Sequence, residues 1–268
     1  MSGLRPFIPP AAINLLIRLG LAGNRFKHGY SSWEEAAATC TGYQAKAIAN
    51  QVLNSSRLVR DGVYVYERDG VVFDEIQYSW ELLSALLGTP RQETSLRVLD
   101  WGGSLGSTYR QNRDLLRAAG LEVHWTVLEQ PHLVEIGSNE FTNPELSFIS
   151  DVNSIADEKF DVVLFASSIC YLEFPKEAIK AAVKLRPNRI IFDRTPHSKT
   201  HKDLVGVQKV GRGIYRASYP IRSFAEGSLA QIIGDTYCLV SEWESNLQPD
   251  PQTVAKGLVF QRNPVQWK

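Results

Sequence analysis

The sequence lacks a surplus of either charge, carries almost no sulfur and has no apolar run long enough to cross a bilayer. Lys plus Arg and Asp plus Glu each total 29. The chain therefore has no net field to draw it onto nucleic acid or an anionic membrane, and no nucleic-acid partner is expected. Its three cysteines, Cys40, Cys170 and Cys238, stand far apart. That spacing excludes the close pairing of a zinc site or a small disulfide framework and suits a reducing cytoplasm. The most apolar stretch near the start, residues 11–21, is broken by Asn14 and Arg18. It falls short of the ~18 to 20 residues of a transmembrane helix and lacks the flanks of a signal peptide. It reads instead as a helix docked on its own domain, the lesser alternative being a helix lying on a membrane surface with Arg18, Arg25 and Lys27 nearby. No internal repeat or low-complexity tract is present. With 44% hydrophobic and 22% charged residues, the chain has the composition of a packed globular protein.

Pro9 and Pro10 precede Ala11 as a helix start, and Gly20 and Gly23 close that segment. Ser32 with Glu35 forms a capping box for a helix over 33–39, and Ala45, Ile48, Ala49, Val52 and Leu53 repeat at helical spacing. The first sixty residues are thus expected to be mainly helical. Asp69-Gly70, between apolar runs at 63–68 and 71–73, suits a hairpin. Residues 78–87 read as a further helix closed by Gly88 and Pro90.

From Leu96 onward short apolar runs alternate with helical stretches, the pattern of a parallel sheet buried on both faces. Strands are expected at 97–99, 125–128, 147–149, 161–165 and 189–192, with helices at 115–119 and 178–185. Two late runs, 237–240 and 258–260, are candidates for the sheet edge. The expected fold is α/β: a Rossmann-like, doubly wound, mostly parallel sheet over 93–268, with a mainly helical N-terminal extension and candidate lid over 1–92.

Asp100-Trp101-Gly102-Gly103-Ser104-Leu105-Gly106 follows a predicted strand and precedes a helix. In that context a glycine-rich turn is informative, because ligands of open α/β sheets sit beyond the strands' carboxyl ends and glycine lets the backbone approach them. A nucleoside ligand is expected. In the dinucleotide fingerprint Gly-x-Gly-x-x-Gly, Gly103 and Gly106 as second and third glycines would require glycine where Trp101 stands. A nicotinamide cofactor is therefore disfavoured. Glu129 ends the second predicted strand 23 residues after Gly106 (129 − 106), near the ~20-residue spacing at which a carboxylate meets ribose hydroxyls. Asp151 follows the third strand. Either carboxylate alone could be an ordinary solvated strand end.

Asp100 followed by Gly102 and Gly106 resembles the first motif of class I S-adenosylmethionine-dependent methyltransferases, which places glycines two, four and six positions after an acidic residue. Here Ser104 holds the middle position and Gly103 is an additional glycine. The resemblance implies S-adenosyl-L-methionine as cofactor, with Asp100 attracting its ammonium, Glu129 its ribose and Asp151 its adenine amino group. Trp101, Gly102, Gly103, Ser104, Gly106 and Ser167 complete the implied set. Five blocks, Gly29 to Ala36, Tyr66 to Asp69, Asp100 to Ser107, Ser167-Ser168 and Asp193 to Pro196, are also similar to a methyltransferase family associated with bacterial surface-polysaccharide biosynthesis. The implied reaction is methyl transfer to a small polar acceptor, a sugar or surface-polysaccharide intermediate. The alternatives are a non-catalytic cofactor-binding module of the same fold and a dinucleotide-dependent oxidoreductase.

Methyl transfer asks the enzyme to align its acceptor, and a hydroxyl acceptor also needs a base within hydrogen-bond reach. The loops after the fourth and fifth strands supply Ser167, Ser168, Tyr171, Asp193, Arg194 and His197. Of these, Asp193, Arg194, His197 and Tyr171 are the catalytic candidates. Asp193 suits a base, while Arg194 suits a carboxylate or phosphate of the acceptor; the plain alternative is an internal ion pair. His197 has the ordinary pKa range of a base. His197 and His201 are four apart but lack a helical context or third ligand, so no metal site is expected. Gln208, Tyr215 and Tyr219, together with His28, Tyr30 and Trp33, are candidates to cover the acceptor.

Overall fold

The computed structural model describes residues 25–41, 46–210, 217–245 and 251–264. The helix expected over 11–21, Ala45 and Tyr215 lie outside them. The N-terminal part runs β1 (Arg25–Tyr30), α1 (Trp33–Ala38), α2 (Lys46–Arg60), β2 (Tyr66–Arg68), β3 (Val71–Phe73) and α3 (Trp80–Leu87). An alternating series follows: β4 (Ser95–Trp101), α4 (Ser107–Ala118), β5 (Glu122–Leu128), α5 (Pro131–Glu140), β6 (Leu146–Ile149), β7 (Val162–Ala166), α6 (Pro175–Lys184) and β8 (Arg189–Ser198). The chain continues through β9 (Leu204–Lys209), β10 (Ser218–Ser223), α7 (Ser228–Ile233), β11 (Tyr237–Glu244) and β12 (Thr253–Arg262).

Seven strands form the central sheet in the order β6-β5-β4-β7-β8-β12-β11. The five from β6 to β8 are parallel, and β12 runs antiparallel to both its neighbours. This is the expected Rossmann-like α/β fold. The strands are apolar on both faces because helices cover both. Val162 and Leu164 point into one core layer with Val98 and Tyr109, while Val163 and Phe165 point into the other with Phe192 and Ile179. Each such buried side chain contributes roughly 1.5 to 3 kcal/mol. The chain leaves β4 toward β5 and β6, then returns to β7 on the other side of β4. In open sheets of this kind ligands bind at that switch point, beyond the strands' carboxyl ends.

The first sixty residues contain more strand than the sequence suggested. β1 pairs with β9, and β9 with β10, in a separate antiparallel three-stranded sheet. Arg25-Phe26-Lys27-His28-Gly29-Tyr30 has too few apolar residues to signal a strand on its own; its ladder partner lies 180 residues away at Val205 to Lys209. The capping box forms differently: Ser32 Oγ accepts from Glu35 N at 3.2 Å, but the Glu35 carboxylate reaches Ser31 N at 2.7 Å instead of Ser32. Among the described residues no helix is long and apolar enough to cross a membrane.

Candidate functional site

The glycine-rich turn lies at the switch point, between the end of β4 and the start of α4. Gly102 and Gly106 take φ values of +76° and +89°, and Ser104 takes +54°. Serine thus adopts the left-handed turn at the motif's middle position, so the backbone path is kept without glycine there. The turn is packed on both sides. A Cβ on Gly103 would stand 2.5 Å from Asp100 Oδ2, and one on Gly102 would stand 2.6 Å from Ser168 Cβ. Ser168 Oγ donates to the Trp101 carbonyl, and the half-buried Trp101 ring stacks on Phe165 with centroids 5.4 Å apart.

Two carboxylates hold the turn from below and from the side. Asp100 is fully buried; its Oδ2 accepts from Trp125 Nε1 at 3.1 Å, and its Oδ1 has no hydrogen-bond partner among the described residues. Burial pushes its carboxyl up to about 7; the Trp125 hydrogen bond and Arg194 oppose that rise, and Glu129 adds to it. The geometry therefore places Asp100 beneath the turn and not on its ligand-facing surface. Glu129, at the end of β5, accepts from Ser104 N at 3.2 Å and Gln130 N at 2.9 Å. Burial raises its pKa, and those two N–H donors oppose the rise. Asp151 is exposed and caps the 3-10 turn Val152–Ile155, its Oδ1 accepting from both nitrogens of Asn153 at 2.9 Å.

The end of β7 and the middle of β8 form the other side of the site. Phe192 pairs with Leu258 and Thr195 with Lys256, so Gly257 alone faces both Asp193 and Arg194. This β-bulge re-aims the two side chains, and Trp243 of β11 packs flat where a Gly257 side chain would be. Arg194 Nη1 lies 2.8 Å from Asp193 Oδ2, and Arg194 Nε donates to Ser167 Oγ at 3.0 Å. Asp193 is sealed from solvent, whereas 10% of the Arg194 side chain stays exposed. Burial raises the Asp193 pKa and Arg194 opposes the rise. Burial alone would lower Arg194, but Asp193, Tyr66, Asp69 and Asp100 together hold it above its ordinary value.

Five non-glycine residues among those described take positive φ. Ser104 and Ser167 follow the ends of the neighbouring strands β4 and β7, Arg194 lies at the bulge within β8, and a fourth, Asp69, is the hairpin tip whose charge acts on Arg194. Backbone strain of this kind costs about 1 to 3 kcal/mol per residue and concentrates where function demands it. Its convergence on the ends of β4 and β7 and the β8 bulge makes this the candidate site.

The structure brings together Asp100, Gly102, Gly103, Ser104, Gly106, Glu129, Ser167, Asp193 and Arg194. It does not bring His197 to them. That residue stands four positions beyond Asp193, about 13 Å along the strand, and packs on Phe224 in the opposite core layer. Its Nδ1 lies 2.9 Å from the Thr195 carbonyl, and burial lowers its pKa. Tyr171 is on the rim, where its hydroxyl donates to Gln208 Oε1 at 2.6 Å and its ring meets Tyr219 edge-on. The β2–β3 hairpin, in contrast, was given no site role from sequence. Glu67 is wholly buried, and its Oε1 accepts from Ser107, from Arg110 Nη2 at 3.1 Å and from Ser56 at 3.3 Å. It ties the hairpin to the first turn of α4. The signal for it was a charged triplet, Glu67-Arg68-Asp69, inside an otherwise apolar hairpin.

No family model and no curated protein matches this sequence. Solved structures do share its fold. The [4+2]-cyclase SpnF is 12% identical, covers 86% of this chain and 96% of its own, and superposes with a TM-score of 0.50. The magnesium protoporphyrin IX methyltransferase of Synechocystis PCC 6803, with bound SAH, is 17% identical over 83% of this chain and 89% of its own, with a TM-score of 0.42. The glycopeptide N-methyltransferase MtfA is 10% identical over 68% of this chain and 88% of its own, with a TM-score of 0.46. At such identities the likeness to SpnF establishes the fold alone, and a fold by itself does not assign chemistry.

Proposed function

We propose that this chain is an S-adenosylmethionine-dependent methyltransferase acting on a small polar acceptor, a sugar or surface-polysaccharide intermediate. The observation that carries the reading is the pair of carboxylates at the β4 turn, Asp100 fully buried and Glu129 partly buried. Neither Asp100 nor Glu129 forms an ion pair with a described residue, and the Glu129 charge adds to the cost of ionising Asp100. A cationic nucleoside relieves that repulsion, whereas a dinucleotide pyrophosphate adds to it. The reversed strand β12 beside β8 also departs from the all-parallel order of dinucleotide folds.

The residues present fit the cofactor. The Ser104 turn and the Glu129 carboxylate would hold its ribose side, Asp151 and Trp101 would border the base, and Asp100 would act from beneath through its charge. When bound, the cofactor supplies an electrophilic methyl group on a sulfonium. Arg194 then orients the acceptor's polar group from the β8 bulge, and Ser167 steadies the guanidinium. Asp193 is a positioning residue in this scheme, because its sealed carboxylate holds Arg194 and has no path to the acceptor. Tyr171 shapes the rim. The sugar or polysaccharide acceptor rests on the resemblance of the five sequence blocks, and the β2–β3 hairpin would border the site.

The test is incubation with methyl-labelled cofactor and sugar nucleotides or glycan intermediates, reading S-adenosylhomocysteine release. Acceptor-dependent release supports the enzyme. Tight cofactor binding with no release across these acceptors favours the non-catalytic module, and preferential binding of a nicotinamide cofactor overturns the reading.

A further inference from the structure

Tyr66 carries a hydroxyl that the fold itself leaves unused. Its ring is 2% exposed and stacks on its cross-strand partner Phe73 with centroids 5.9 Å apart. No described residue hydrogen-bonds the hydroxyl. Side chains alternate across a strand, so Tyr66 and Arg68 share one face of β2 while Glu67 takes the other. The Glu67 face is fixed to α4 by Ser107 and Arg110, and the hairpin tip is fixed to α2, where Gln51 Nε2 and Ser55 Oγ donate to the Gly70 carbonyl at 2.9 and 2.7 Å. The remaining face is thereby held toward the strand ends. There the Tyr66 phenol interacts electrostatically with Arg194 at the β8 bulge and with Arg110 at the start of α4, and Arg68 interacts with Asp193.

We infer that the Tyr66 hydroxyl donates to the α-carboxylate of the bound cofactor's amino acid moiety, with Arg194 and the start of α4 supplying favourable charge around it. The inference rests on the cofactor reading above. Burial pushes the phenol up to about 12, so it stays protonated and acts as a donor, not as a base. Arg194 and Arg110 are already balanced by Asp193 and Glu67. The site therefore offers donors without net positive charge, which suits a zwitterionic amino acid group better than a free phosphate.

Tyr66→Phe keeps the ring and its stacking and removes only a hydroxyl that no described residue uses, so the melting temperature should not move. Calorimetric affinity is then compared for S-adenosylhomocysteine and for methylthioadenosine, the same nucleoside thioether without the amino acid group. The expected result is a ~10- to 100-fold loss for S-adenosylhomocysteine, the usual effect of losing a hydrogen bond to a charged group, and no change for methylthioadenosine. Unchanged S-adenosylhomocysteine affinity overturns the inference while leaving the cofactor reading intact, and so does an equal loss for both ligands. If the wild-type chain binds neither nucleoside, the cofactor reading fails first and takes this inference with it.

Discussion

Replacing Asp100 with asparagine isolates the electrostatic cost of the acid beneath the turn. Its ordinary pKa is 3.8 and burial in the folded chain lifts it to about 7. Between those values the unfolded chain has released the proton and the folded chain keeps it, so folding stability falls as pH rises from about 4 to 7 and levels off above. A rise of about three units corresponds to about 4 kcal/mol, at 1.36 kcal/mol per unit. Asparagine retains an oxygen for Trp125 Nε1 and carries no charge, so Asp100→Asn lacks this decline. Urea unfolding of both proteins from pH 4.5 to 8.5 gives a difference curve in which the other titrating groups largely cancel. The variant should gain on the wild type by several kcal/mol across that range, with the steepest change below pH 7. A gain under about 1 kcal/mol would show that Asp100 ionises freely and that the sealed geometry is wrong.

Glu129→Ala should weaken S-adenosylhomocysteine binding by about 1.5 to 3 kcal/mol, measured calorimetrically; an effect under twofold removes Glu129 from the ribose site. Gly102→Val should reduce stability as well as binding, by at least about 1 to 3 kcal/mol, because its Cβ would stand 2.6 Å from Ser168 Cβ at a φ of +76°. A melting temperature equal to wild type would contradict that packing. Asp193→Asn should cost about 3 to 5 kcal/mol of stability, since it leaves the Arg194 guanidinium buried without its counter-ion. A fully stable variant with strongly reduced turnover would instead return Asp193 to the role of base.

The central sheet was legible because its strands obey local rules. Val98, Leu99, Val162 to Phe165 and Ile190 to Phe192 form short apolar runs that only a sheet covered on both faces can bury, and the Asp100 to Gly106 turn sits where such a sheet places its ligand. The second sheet was not legible. β1, β9 and β10 are polar or interrupted by Gly206 and Pro220, and they become strands only through pairing across the length of the chain. The same limit applied at the site. Nothing local to Asp193-Arg194 reveals the bulge, which needs Gly257 opposite, and nothing local to Tyr66 or Glu67 reveals Arg194 or Arg110 as neighbours. His197 shows the converse, since a histidine near the fifth strand end suited a base by type and is turned into the opposite core layer.

The proposed function requires the site at the ends of β4 and β7 and the β8 bulge to select a cationic nucleoside. Calorimetric titration of the wild-type chain with S-adenosylmethionine and with NAD, at pH 8, above the value of about 7 to which burial lifts Asp100, tests it directly. Binding of S-adenosylmethionine at micromolar concentration, weakened by Glu129→Ala and at least tenfold tighter than NAD, is the predicted result. Equal or tighter binding of NAD would contradict it.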